Sequence, residues 1–162
     1  MKSKQIKVMA VTAILMAFNI VLSSFGVPVP GGHMYLNDVI ICTAAILLNP
    51  FGAFIGDLLF YPTPMFVSLV THGLQAVVIS LATRRLGKDR PSGSAIGVTI
   101  GAVIMVVGYS LGRAFIYSTP EYALLKLPFQ IAQAVVGAVV GWLLCWKCKI
   151  AELYEKRFGI MS

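Results

Sequence analysis

The sequence predicts an all-α integral membrane protein: a six-transmembrane-helix bundle forming a single domain over residues 1–162. Three observations predict it. First, 58% of the residues are hydrophobic and only 12% are charged, with a mean hydropathy of +0.86. Soluble domains run at about 45–50% apolar and about 25% charged. The excess is too large for a soluble core of this size and needs lipid as solvent. Second, apolar runs of membrane-spanning length recur along the chain. Third, the basic residues behind the net charge of +7 cluster between those runs. That is the pattern of membrane topology rather than of a nucleic-acid stripe. A secreted disulfide scaffold, a disordered tail, an ordinary cytosolic enzyme and a nucleic-acid partner are excluded.

The first helix is expected over residues 7–25. The opening Met-Lys-Ser-Lys-Gln-Ile-Lys followed by an apolar run resembles a signal peptide, but the run is long enough to span and no A-x-A-type cleavage site follows it. It is read as a retained transmembrane helix. The next two runs, 36–48 and 51–60, are broken at Asn49-Pro50. They form either one kinked helix or two short helices in a hairpin. The remaining helices are expected at 65–83, 94–118 and 122–146, each of comfortable spanning length.

Charge decides the ambiguous pair. Lys2, Lys4 and Lys7, then Arg84, Arg85, Lys88 and Arg90, then Lys147, Lys149, Lys156 and Arg157 make eleven of the thirteen basic residues. The positive-inside rule wants all three segments on the cytoplasmic side. An even number of crossings must therefore separate the N-terminus from Arg84, which requires the 36–60 hairpin. Six helices with both termini cytoplasmic follow. The helices of the hairpin are short, since 13 residues reach only about 20 Å.

The outer segments then lie at 26–35, 61–64 and 118–121. They carry no basic residue and are rich in proline and glycine, which set turns. The first of them is long enough to fold over the outer surface as a lid, or it is a plain connector. Cys145 and Cys148 have C-x-x-C spacing but lack a βαβ context or a second pair, and with Cys42 they read as reduced thiols. Gly93, Gly97, Gly101, Gly108 and Gly112 recur along the fifth helix and Gly137 and Gly141 along the sixth, a spacing that lets helix backbones approach within the bundle. Ala10, Ala13 and Ala17 make a smooth face on the first helix, for internal packing or for a partner.

Polar side chains inside a membrane are costly and face a cavity or a partner. Here Asn37 and Asp38 start the second helix and Asp57 lies a turn below the outer end of the third. His72 and Gln75 lie about two turns down the fourth. Tyr109, Arg113 and Tyr117 occupy the outer turns of the fifth, and Gln130 and Gln133 the outer half of the sixth. All of these fall in the outer half of the bilayer, and the i, i+3 and i, i+4 spacings put each set on one face. Together with His33, Tyr35 and Tyr61 from the outer segments, they suit a small, polar, flat ligand better than a lipid or an ion. The competing expectation is mutual satisfaction, Arg113 with Asp57 or Glu121 and the glutamines with backbone carbonyls. Lys126 and Glu121 read as interfacial anchors.

No phosphate-binding loop, zinc-protease motif or paired metal-ligand motif occurs. No metal or cofactor is expected. The chain has no nucleotide-binding domain and no intramembrane string of acids for a proton relay. If it moves a solute, it carries no engine of its own.

Residues 31–80 resemble the S components of energy-coupling-factor (ECF) vitamin transporters. The matching features are Gly31-Gly32, then Tyr35-Leu36-Asn37-Asp38, then Ala44-Ala45-Ile46-Leu47-Leu48-Asn49-Pro50-Phe51-Gly52-Ala53, then Asp57-Leu58-Leu59, Thr63-Pro64 and His72-Gly73. Chain length, the helix count and the Ala13-x-x-x-Ala17 face are also similar. The resemblance implies a multi-pass protein of the bacterial plasma membrane. It implies a substrate-binding subunit, not an enzyme, that captures a vitamin from outside. Delivery would follow docking on a membrane coupling subunit (the T component) with two cytoplasmic ATPases. It also implies that Ala13 and Ala17, with Ala10, form the docking face. Asn37 stands where many riboflavin-type relatives have glycine, and His72 where they often have lysine. The pattern looks more like the branch for vitamin B6 (pyridoxine) and hydroxymethylpyrimidine, with Tyr35, Tyr61 or Tyr117 stacking on the ring. Another vitamin such as riboflavin is the alternative, as is a stand-alone small-solute facilitator. Two further classes are an intramembrane enzyme using Asp57 and His72, which lacks an accompanying nucleophile or metal motif, and a structural assembly subunit.

Overall fold

The computed structural model describes residues 2–30, 32–51, 65–87 and 90–158. All but the first residue of the expected helix over 51–60, and with it Asp57 and also Tyr61, lies outside the described residues. In chain order the described elements are α1 (Lys2–Ser24), β1 (Gly26–Val29), β2 (Gly32–Tyr35), α2 (Asn37–Leu47), α3 (Met65–Gly87), α4 (Pro91–Gly112), a π-helical segment (Arg113–Tyr117), α5 (Pro120–Trp146) and α6 (Ile150–Phe158). Four helical stretches are long and apolar enough to cross a membrane: Gln5–Ser24, Phe66–Gly87, Pro91–Tyr117 and Pro120–Trp146. α2 is shorter, at 11 residues.

The helix ends follow local chemistry. Pro91 and Pro120 each open a helix from its first turn, where a missing N–H costs nothing. Thr119 caps α5, its hydroxyl accepting from the Tyr122 N–H at 3.3 Å. α2 stops ahead of Asn49-Pro50, with Leu48 already extended at φ −88°, ψ 160°. The Leu48 carbonyl, lost to the helix, accepts from the Ser80 hydroxyl at 2.7 Å.

Two elements correct the purely helical reading. The first outer segment is an antiparallel β-hairpin, pairing Gly26 with Tyr35 and Val29 with Gly32. Its Val-Pro-Val run is extended by preference, and a two-stranded ribbon has free edges that tolerate Pro28. At the other terminus, the expected basic tail contains a further helix, α6. It buries Ala151 and Tyr154 in the core beside Leu48 and Ala45 while Leu153, Lys156 and Arg157 stay exposed. Burial pushes the Tyr154 phenol above its ordinary range.

Contacts set the direction of each helix. α2 and α3 run parallel, with Asp38 near His72, Cys42 near Gln75 and Leu48 near Ser80. α2 and α5 are also parallel: the bare backbone of Gly137 lies on Asp38 and that of Gly141 on Cys42. α3 and α4 are antiparallel, Gly97 and Gly101 facing Ile79, Gly108 facing Thr71 and Gly112 facing Val67. The glycine stripe of α4 is therefore internal packing. Trp142 and Trp146 donate to the Pro91 carbonyl at 2.9 Å and the Ser94 hydroxyl at 2.6 Å, pinning the end of α5 to the start of α4. One end of the bundle thus carries the β-hairpin, and the other carries α6 with the Arg84 and Lys147 clusters.

At Gly97 a Cβ would stand 3.1 Å from the Ile79 carbonyl oxygen, which is backbone and yields little. Gly97→Val is expected to cost about 1–3 kcal/mol by overpacking. The readout is a lowered thermal-unfolding midpoint of the detergent-solubilised chain. An unchanged midpoint would contradict the close α3–α4 approach.

Candidate functional site

The polar residues gather at the hairpin end in two connected groups. The first is built around Asp38. It sits in the first turn of α2, where unpaired backbone N–H groups favour a negative charge. It is 1% exposed. Its Oδ2 accepts from Gln133 Nε2, and its Oδ1 lies 3.7 Å from His72 Nδ1. His72 Nδ1 donates to Gln75 Oε1 at 3.0 Å, so the proton sits on that nitrogen. Gln75 Nε2 points to Cys42 Sγ at 3.8 Å. The Gly137 backbone, bare of a side chain, is what lets Asp38 settle against α5.

Gln133 is the junction of this group. Its amide donates to Asp38 and its Oε1 accepts the Tyr35 N–H at 3.1 Å. One side chain of α5 therefore ties the β-hairpin to the start of α2. Two buried acceptors in the group, Asn37 Oδ1 and Asp38 Oδ1, have no hydrogen-bond partner among the described residues. Buried acceptors normally find a donor, and leaving one without costs about 1–3 kcal/mol.

The second group surrounds Tyr109. Its ring meets His72 edge-on at 5.2 Å, and its hydroxyl donates to Ser68 Oγ at 2.7 Å. The Arg113 guanidinium lies 5.5 Å over the same ring and donates to Gln130 Oε1. Gln130 Nε2 in turn donates to the Met105 and Val106 carbonyls at 3.2 and 3.0 Å. Arg113 opens the π-helical segment, a local widening often found at functional sites. Tyr117 closes it, with its hydroxyl beside Arg113.

The structure thus brings together Tyr35, Asn37, Asp38, His72, Gln75 and Gln133, and joins them through Tyr109 to Arg113, Tyr117 and Gln130. His33 contributes a different atom than expected. Its ring is exposed on the hairpin, 6.3 Å from that of Tyr35, while its carbonyl accepts from Lys126 Nζ at 3.1 Å. Lys126 corrects the reading as an interfacial anchor, since it is 6% exposed. Its spacing to Gln130, Gln133 and Gly137 puts all four on one stripe of α5, and that periodicity was the available signal. Ser68 is a further residue that the sequence reading did not select. Arg113 pairs with Gln130 and with no carboxylate among the described residues.

On α1, Ala10, Ala13 and Ala17 are all exposed. The opposite face buries Thr12 and Asn19 and rests Val8, Val11 and Leu15 against the core. Among the described residues, nothing packs over the alanine face.

No curated protein matches this chain. A model of the family described as ECF-type riboflavin transporter, S component, matches residues 3–149. The membrane-spanning helices agree with that family's role as a membrane-embedded binding subunit working with a T component and ATPase modules. The chain belongs to the ECF transporter S component family, as a substrate-binding subunit of an ECF transporter.

Proposed function

We propose that this subunit captures a small heteroaromatic vitamin or vitamin precursor, vitamin B6 or hydroxymethylpyrimidine, at the Asp38–His72–Gln75–Gln133 cluster. The hairpin end faces outward and both termini are cytoplasmic, with the whole chain acting as a single domain. Delivery inward follows when Ala10, Ala13 and Ala17 dock on the T component, which carries two ATPases. Asn37, Tyr35, Arg113, Tyr117 and Gln130 complete or brace the site, and Asp57, Tyr61 and His33 are proposed to border it.

One observation carries this reading: the two buried acceptors Asn37 Oδ1 and Asp38 Oδ1 lack hydrogen-bond partners among the described residues, beside a histidine and two amides. Hydroxymethyl and amino groups supply donors to carboxylate and amide oxygens, and ring nitrogens accept from amide N–H groups. Tyr35, Tyr61 or Tyr117 would stack on the ring. The parallel run of α2 and α3 supports the topology, because a single helix continued through 36–60 would enter α3 antiparallel. A second reading, riboflavin, is favoured by the family description that matches residues 3–149.

Titration calorimetry of the purified chain against pyridoxine, hydroxymethylpyrimidine and riboflavin tests the choice. Binding of either of the first two is expected, weakened about 10- to 100-fold in His72→Ala, at about 1.4 kcal/mol per tenfold. Riboflavin binding alone would overturn the substrate and keep the site. Unchanged binding in His72→Ala would overturn the site.

A further inference from the structure

We propose that Cys42 is a positioning residue for substrate binding: its sulfur orients the Gln75 amide, and through Gln75 it sets the imidazole of His72. The inference rests on the binding site proposed above and adds to it a residue that acts through another.

Gln75 is held along its whole length. Its stem passes the bare backbone of Gly101 on α4, where a Cβ would stand 3.2 Å from Gln75 Cγ. Its Oε1 accepts from His72 Nδ1 at 3.0 Å, and its Nε2 donates to Cys42 Sγ at 3.8 Å. Gln75 and Cys42 are each 1% exposed and His72 is 3% exposed. With the stem fixed, the freedom left to the amide is a half-turn that exchanges its oxygen and nitrogen. Asp38 favours a proton on His72 Nδ1, since its Oδ1 lies 3.7 Å from that nitrogen. A half-turned amide would set N–H donors against this ring N–H. The Gln75 carbonyl therefore faces His72 and its N–H groups face α2. There the acceptor is sulfur, which is weak and makes a longer contact than oxygen does.

The fold places that sulfur. Asp38 and Cys42 are i, i+4 on α2, and His72 and Gln75 are i, i+3 on α3, so the two parallel helices meet at both levels. On the other side α5 comes so near that a Cβ on Gly141 would stand 2.8 Å from Cys42 Cβ. Cys42 is thus clamped between the α5 backbone and the Gln75 amide. Alanine in its place keeps the Cβ and removes the acceptor, whereas serine keeps an acceptor of smaller radius. Buried polar side chains joined in series rigidify one another, and a ligand then meets a preset imidazole instead of ordering one.

The test reads the imidazole directly. The chain has two histidines, so His33→Gln identifies the His72 signals. Long-range proton–nitrogen NMR spectra of the purified chain in dodecyl maltoside are recorded at about pH 8, where an ordinary imidazole is neutral. Wild type is expected in the Nδ1–H tautomer. Cys42→Ser should keep that tautomer, and Cys42→Ala should show both. Calorimetry with pyridoxine and with hydroxymethylpyrimidine is expected to give about 3- to 10-fold weaker binding in Cys42→Ala, the worth of one hydrogen bond, with recovery in Cys42→Ser. Cys42→Ala with wild-type tautomer and affinity overturns the inference. Equal losses of affinity in both variants at an unchanged tautomer also overturn it, by giving the thiol a packing role. If neither compound binds wild type, the substrate reading falls and the tautomer comparison alone decides the role of Cys42. A wild-type ring in the Nε2–H form overturns the inference even if Cys42→Ala fails to fold.

Discussion

Ala13→Trp is expected to abolish uptake by the assembled transporter while the isolated subunit keeps wild-type affinity for its ligand. Ala10, Ala13 and Ala17 are exposed on α1, whereas Val8, Val11, Thr12 and Leu15 turn inward. In lipid there is little hydrophobic drive between helices, and association depends on close backbone approach and shape. An indole in the middle of a small-residue face holds a partner helix off along the whole contact. The proposed binding cluster stands on α2, α3, α4, α5 and the hairpin, away from this face. Uptake of labelled ligand in cells carrying the coupling module is measured beside calorimetry of the purified subunit. Loss of binding together with uptake would mean that the face supports the fold of the bundle instead of docking.

Asp38→Asn is expected to weaken ligand binding about 100-fold, about 2.7 kcal/mol, without lowering the melting temperature of the ligand-free chain. Asparagine has the same shape and still accepts from Gln133, so the packing against Gly137 survives. What disappears is the charge, and hydrogen bonds to an ionised acceptor are roughly twice as strong as neutral ones. The ligand-free protein loses little. Its buried carboxylate has one hydrogen-bonded oxygen and a second without a hydrogen-bond partner among the described residues, 3.7 Å from His72 Nδ1. Removing such a charge relieves a desolvation penalty, so the melting temperature should hold or rise. Wild-type affinity in Asp38→Asn would show that the carboxylate does not touch ligand. A collapse in stability would assign it a structural role.

The spans were legible because lipid solvates each helix separately. Each must be long, apolar and internally hydrogen-bonded whatever its neighbours do, and a one-dimensional pattern records that. The four long helices agree with that pattern to within a few residues. Spacing along a single helix was legible for the same reason: His72 with Gln75, and Tyr109 with Arg113, are neighbours by helix geometry alone, and both pairs meet in the structure. The glycine stripe of α4 announced a close contact but not with which helix.

Partners across helices were a different matter. Arg113 opens the π-helical segment and reaches across to Gln130 on α5, a partner that spacing along one helix does not name; Glu121 is not its partner, and Asp57 lies outside the described residues. Lys126 looked interfacial because it lies only six residues into α5, yet the hairpin covers it. That hairpin was itself unreadable, since two four-residue strands rich in glycine and proline carry the composition of a loop. α6 was hidden by its charge. Its mixed polar sequence looks like a tail until Ala151 and Tyr154 are seen to face the core. The sequence by itself determined that this is a membrane bundle, where its long helices lie and which polar residues share a helix face. Only the tertiary structure decided which faces meet, because the rotation and register of one helix against another depend on contacts between residues up to about a hundred positions apart, such as Tyr35 with Gln133.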